Sequence, residues 1–98
     1  MTRYEISLLP LAEEEIKEAF HCHSQRSRFA ADVFRTEVFS AIDSLAEDPT
    51  MWPADSEGVR YYILRHFPYT IHYEIAAATV TVLAVAHQRR RPGYWQER

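Results

Sequence analysis

The chain has 98 residues, 47% hydrophobic and 26% charged, the balance of one globular domain and not of a disordered segment. Its single cysteine, Cys22, excludes an internal disulfide and the Cys₂His₂ and Cys₄ zinc frameworks. The net charge of −3 hides an asymmetry: residues 1–57 carry a net of −7, whereas residues 58–98 carry +4. A positive surface is therefore expected from the C-terminal part. All but one of the basic residues are arginines, whose planar donors suit carboxylates and phosphates.

The segment from Met1 to Glu15 has no apolar stretch of signal-peptide length. The least polar run, Ala76 to Ala86, falls far short of the ~20 residues that cross a bilayer. The expectation is one soluble, cytoplasmic domain over residues 1–98 with no membrane contact. Only Gly58 and Gly93 are present, so no glycine-rich phosphate loop exists.

Arg3 to Leu8 reads as a short strand with Tyr4 and Ile6 on one side. Pro10 suits the first turn of a helix, and Glu13, Glu14 and Glu15 favour the positive end of its dipole. Ala12, Ile16, Ala19 and Phe20 form that helix's apolar stripe. A polar break at Ser24–Ser27 follows, with Ser27 as N-cap of a second helix. Ala30, Val33, Phe34, Val38, Ala41, Ile42 and Leu45 give its stripe, and Asp48-Pro49 ends it. The short break predicts an antiparallel helical hairpin.

After a loop through Trp52, Pro53 and Gly58, three strands are predicted: Val59–Arg65, Tyr69–Ile75 and Val80–His87, the last buried on both sides. The fold class is α+β in the order β-α-α-β-β-β, the hairpin covering one face of an antiparallel sheet. Ile16, Phe20, Phe34, Val38, Ile42 and Leu45 should pack against Ile71, Tyr73, Val82 or Leu83. The turn at Ala76, Ala77 and Ala78 has no Gly, Asn or Asp to indicate its type.

Alternation puts Arg60, Tyr62, Leu64 and His66 on one face, with Tyr61, Ile63 and Arg65 on the other. It likewise opposes Tyr69, Ile71, Tyr73 and Ile75 to Thr70, His72 and Glu74. His87 ends the last strand beside Arg89, Arg90 and Arg91. Two roles are open to it: proton transfer, or packing on an aromatic ring with a hydrogen bond to the loop. The arginine run is either a solvated tail or a binding segment anchored by its neighbours Pro92, Tyr94 and Trp95. His21 and His23 lie on different helix faces and form no metal pair, and Cys22 between them is expected to be small and partly buried. No nucleophile triad, cofactor site or metal set is assembled by spacing.

Three strings carry a family resemblance. Leu64-Arg65-His66-Phe67-Pro68-Tyr69-Thr70-Ile71-His72-Tyr73 and Val82-Leu83-Ala84-Val85-Ala86-His87-Gln88-Arg89-Arg90-Arg91-Pro92-Gly93-Tyr94-Trp95 resemble the ParE-like branch of the RelE/ParE toxin superfamily. Leu9-Pro10-Leu11-Ala12-Glu13-Glu14-Glu15-Ile16 is similar to the family's opening of its first helix. The resemblance implies the toxin half of a type II toxin–antitoxin pair, often labelled a plasmid stabilization protein, with a ParD-like antitoxin as partner. ParE-like members bind DNA gyrase and poison it without hydrolysing anything. RelE-like members cut mRNA on the ribosome, and for that role Arg60, Arg65, His87 and Arg90 are the candidates. The absence of Lys from the sheet region departs from the RelE-like set. The closer resemblance implies gyrase inhibition by contact through His87, Arg89, Arg90, Arg91, Tyr94 and Trp95, with Arg60 and Arg65 nearby. Ribosome-bound mRNA is the alternative target, and a weakly toxic binding module of the same fold is a third reading.

Overall fold

The computed structural model describes residues 3–91 and 93–97; Pro92, which flanks the arginine run, lies outside them. The elements are β1 (Glu5–Leu8), α1 (Pro10–Ser24), α2 (Arg28–Glu47), β2 (Arg60–Ile63), β3 (Tyr69–Ala76) and β4 (Thr79–His87). Short 3₁₀ turns follow α2 at Pro49–Met51 and close the chain at Tyr94–Glu97. The predicted order β-α-α-β-β-β is the one found.

Local chemistry sets the boundaries. Pro10 occupies the first turn of α1, where its missing N–H breaks no bond. The Ser27 side chain accepts from Ala30 N–H at 3.2 Å, capping α2 as the sequence predicts. Asp48, at φ −145° and ψ 77°, leaves helical geometry before Pro49. Pro49 is buried, and the Tyr73 hydroxyl donates to its carbonyl at 2.6 Å, joining the end of α2 to the middle of the sheet.

The strand order is β1-β4-β3-β2. β2–β3 and β3–β4 are antiparallel, but β1 runs parallel to β4, so the sheet is mixed where the sequence suggested a wholly antiparallel one. Strands joined by tight turns must reverse direction, whereas β1 is connected to β4 through the helical hairpin, β2 and β3 and is free to lie parallel. β4 is central and buried along most of its length, as its apolar run predicts.

One face of this sheet meets the hairpin. Ala12, Ile16 and Ala19 of α1 and Phe34, Val38, Ala41, Ile42 and Leu45 of α2 pack with Leu64, Ile71, Tyr73, Val80, Val82 and Val85. Phe34 is fully buried, and removing a ring of that size from water contributes about 2–3 kcal/mol. Phe20 does not join this core. It sits about 100° of helix turn beyond Ala19 and lies in a surface hollow with Ile16, Lys17, Arg35 and Phe39. Ala31 is fully buried while Ala30 and Val33 are half-buried.

The register shifts between His72 and Tyr73, which pair with Ala84 and Val82, so Leu83 is an extra residue in β4. Such a bulge reverses the alternation beyond it. Val80 and Val82 face the helices before it, and Val85 and His87 after it. The turn that the sequence left untyped is a two-residue connection in which Ala77 holds φ 54°, a left-handed conformation unfavourable for a residue with a Cβ. Replacing the exposed Ala77 by Gly should relieve that strain and stabilise the fold by about 0.5–1 kcal/mol, seen as a higher urea midpoint at unchanged slope. An unchanged or lower midpoint would contradict the strain.

Candidate interaction surface

β4 delivers His87 to the helix side of the sheet opposite Tyr69, with ring centroids 5.3 Å apart and edge-on. Its Nδ1 accepts from Arg89 N–H at 3.1 Å, so in the neutral ring the proton resides on Nε2. Gln88 N–H binds the Pro68 carbonyl at 2.8 Å, and Arg90 N–H binds the His87 carbonyl at 2.9 Å. The arginine run therefore leaves the strand through a hydrogen-bonded turn, with Arg89, Arg90 and Arg91 exposed. The Arg90 guanidinium lies 4.8 Å from the centroid of the Tyr94 ring, a cation–π contact.

Gly93, at φ 77°, turns the chain back so that Tyr94 and Trp95 return to the domain. The Tyr94 hydroxyl donates to Glu15 Oε2, whose other oxygen accepts from Val85 N–H at 2.9 Å. Burial pushes the Glu15 carboxyl up; the bonds from Tyr94 and Val85 and the charge of Arg90 oppose this without cancelling it. Trp95 packs on His72 with centroids 4.3 Å apart and the rings inclined at 49°, on the sheet face away from the helices. Tyr61 meets the His72 ring edge-on at 4.9 Å, and its hydroxyl donates to Asp55 Oδ2 at 2.5 Å. That bond drives the Tyr61 hydroxyl up to about 12.

The four residues suited to a nuclease are not gathered in one place. The Arg60 guanidinium is directed to the carbonyls of Thr50 and Trp52, where it holds the loop before β2. Arg60 pairs with Tyr73 and His87 with Tyr69, so the two lie four residues apart along β3. Arg65 lies beyond β2 beside Glu37, whose carboxylate accepts from Arg65 N–H at 2.6 Å and from His66 Nδ1 at 2.8 Å. Burial alone would raise the Glu37 carboxyl, but the bonds from His66 and Arg65 together hold it below the usual range. The hollow of about 490 Å³ between α2 and β2 that holds Arg65 contains neither His87 nor Arg90. Only His87 and Arg90 come together, with Glu15, Glu18, Cys22 and Tyr69.

Cys22 is exposed, a correction to the expectation of partial burial: it lies off the stripe that Ala19 and His23 continue. His23 instead packs among Phe34, Phe67 and Tyr69, and burial lowers its affinity for a proton, with Arg26 adding to the effect. Sequence reasoning missed Glu15, His23 and the Asp55–Tyr61–His72–Trp95 set. Spacing carried a signal for the first two, since both sit in helical register with Ala12, Ile16 and Ala19. Among the described residues no group of three or more His, Cys, Asp and Glu is placed to hold a metal ion, and no helix is long and apolar enough to cross a membrane.

The family model of the ParE toxin of the type II toxin–antitoxin system parDE matches residues 6–92. The chain belongs to the ParE toxin family. No curated protein matches it. Among solved structures it is similar to a chain of the chromosomal ParDE toxin–antitoxin system from P. aeruginosa, with a TM-score of 0.76 at 11% identity, covering 89% of this chain and 98% of that one. At that identity the likeness is one of fold: two helices on a four-stranded sheet. Membership of the family makes the chain a ParE toxin of a type II toxin–antitoxin system.

His72 gives this ParE chain a pH dependence. The ring is 7% exposed, and its Nδ1 has no hydrogen-bond partner among the described residues. Desolvation lowers its pKa from 6.5 to about 4, with the charge of Asp55 opposing. The unfolded chain takes up a proton on this histidine near pH 6.5 and the folded chain only near 4. The stabilising contribution is thus complete above about 6.5 and is lost as pH falls through that window, on the order of 2 kcal/mol after discounting for solvent. Urea unfolding at pH 7 and pH 4.5 should show a smaller acid loss for His72→Phe than for the parent. Equal losses would remove His72 as the cause.

Proposed function

We propose that this ParE chain stops growth by binding DNA gyrase through the end of β4 and the segment after it, and that a ParD-like antitoxin neutralises it. The observation that carries this reading is the arginine run itself: Arg89, Arg90 and Arg91 are exposed on a turn fixed by hydrogen bonds at both His87 and Pro68. A held turn that carries cations beside aromatic anchors suits an acidic protein surface, where charge steers and orients the encounter. His87, Tyr94 and Trp95 belong to the same surface, but their contacts within the domain make them its supports. Contact is favoured over cleavage because a nuclease needs base, acid and cations around one phosphate. Here Arg60 is committed to two loop carbonyls and Arg65 to the far groove.

The hollow between α2 and β2 supports the antitoxin half of the proposal. Phe29, Val33 and Tyr62 give it an apolar floor, and Glu37, Arg65 and His66 a polar rim. Phe29 is 77% exposed, an apolar surface that an amphipathic segment of the partner would cover.

Purified protein added to a supercoiling assay and to a coupled translation assay tests the target. Inhibition of supercoiling is expected, weakened by rising salt and reduced about tenfold when Arg89, Arg90 and Arg91 are all changed to Ala. Intact gyrase with mRNA cut at ribosome-bound codons would overturn the proposal. In cells, expression alone should arrest growth and co-expression of the antitoxin should restore it.

A further inference from the structure

We propose that Glu15 is a positioning residue: its carboxylate latches the Tyr94–Trp95 segment to the outer edge of β4 and thereby holds the arginine platform in one arrangement. This inference rests on the proposed contact function for its consequence, but not for its geometry. One carboxylate takes two donors from parts of the chain far apart in sequence: Val85 N–H on β4 and the Tyr94 hydroxyl in the returning segment. The Tyr94 ring so fixed lies beneath Arg90 and meets Trp95 edge-on at 5.5 Å. Trp95 in turn rests on His72, so the returning segment is fastened at two places, by a charged hydrogen bond at the edge of β4 and by ring packing on the open face. A hollow of about 420 Å³ lined by Leu11, Glu14, Glu18, Arg90 and Arg91 surrounds the latch.

A residue kept only for stability would not be chosen this way. An ionised carboxylate withdrawn from water opposes folding unless its donors repay it. Glu15→Gln keeps the shape and one acceptor oxygen while removing the charge, and Tyr94→Phe removes only the hydroxyl and leaves the ring under Arg90.

The test is trypsin cleavage after Arg89 and Arg90 in the full chain, followed by mass spectrometry, beside urea unfolding of the same variants. Loss of a hydrogen bond to a charged group should raise cleavage about tenfold in Tyr94→Phe and in Glu15→Gln, with a urea loss no larger than the about 1.4 kcal/mol to which tenfold corresponds. Glu13→Gln, on the exposed first turn, should cleave like the parent. In a Trp52→Phe background, emission from Trp95 should shift to the red in both latch variants. Cleavage equal to the parent in both, or an increase that Ile42→Val, a core variant of similar urea loss, matches, would overturn the latch. In the supercoiling assay the latch variants should inhibit less than the parent although every arginine remains. Full inhibition from a variant whose segment trypsin shows to be released would overturn the positioning role. A parent that leaves gyrase untouched would sink the target instead, and the cleavage and emission readings would still decide the latch.

Discussion

β4 outlasts its parallel neighbour, and much of the arrangement at that end of the molecule follows from that. β1 ends at Leu8 opposite Val82, and Leu9 N–H makes the last bond to the Val82 carbonyl at 3.0 Å. Beyond it the outer edge of β4 has backbone donors and no strand to meet them. Unpaired edges invite pairing with other chains, and proteins cover them. Here a side chain does so: Glu15 is placed one helical turn after Pro10 and Leu11 and offers its carboxylate to Val85 N–H at 2.9 Å. Because that carboxylate has a second oxygen, the edge cap also becomes an attachment point for the segment that returns after β4. Shielding of a sheet edge and placement of the arginine run are one interaction.

The bulge at Leu83 is the second half of this arrangement. Without the extra residue, Ala84 and Ala86 would face the helices and His87 would point to the open face. With it, Val85 completes the core opposite Ile71, and His87 meets Tyr69 edge-on beside α1. The open face then receives the small residues Ala84 and Ala86 next to His72 and Thr70. Small side chains there leave space for Trp95 to lie across His72, which a β4 in ordinary alternation would fill with Val85. Both surfaces at this end of the sheet depend on a single shift of register.

Periodicity made the core legible because burial of a helix stripe against a sheet is a repeating constraint. Phe34, Val38, Ala41, Ile42 and Leu45 all lie where a spacing of three and four places them. The caps were legible too, since Ser27 and Pro49 act through their own local chemistry. What escaped was whatever depends on two distant segments meeting. Phe20 obeys the stripe rule yet sits outside the core, because Ala12 and Ala19 let α1 approach the sheet closely and carry its next residue toward Phe39. Glu15 is in register with Ala12 and Ala19, so a polar residue on an apolar stripe was visible, but its partners Val85 and Tyr94 were not. The bulge leaves no mark in a run as uniformly apolar as Val80–Ala86. For the same reason Arg60 looked like a free cation until its carbonyl partners in the preceding loop were known.

The placement of acid beside base at the strand end bears on selectivity. Glu14, Glu15 and Glu18 of α1 share a hollow with Arg90 and Arg91, so the field of the arginines is partly balanced within the molecule. On the contact reading proposed above, an anionic partner competes with carboxylates already in place, so one whose acidic groups match the positions of the arginines gains most. Discrimination of this kind comes from the difference between two partners' free energies and not from the size of either. It requires that the arginines keep their positions when the partner arrives, since a mobile run would adapt to any anion. On the same contact reading, a held turn, an aromatic ring beneath Arg90 and an acidic helix face behind it would act together, rigidity making a common basic cluster selective.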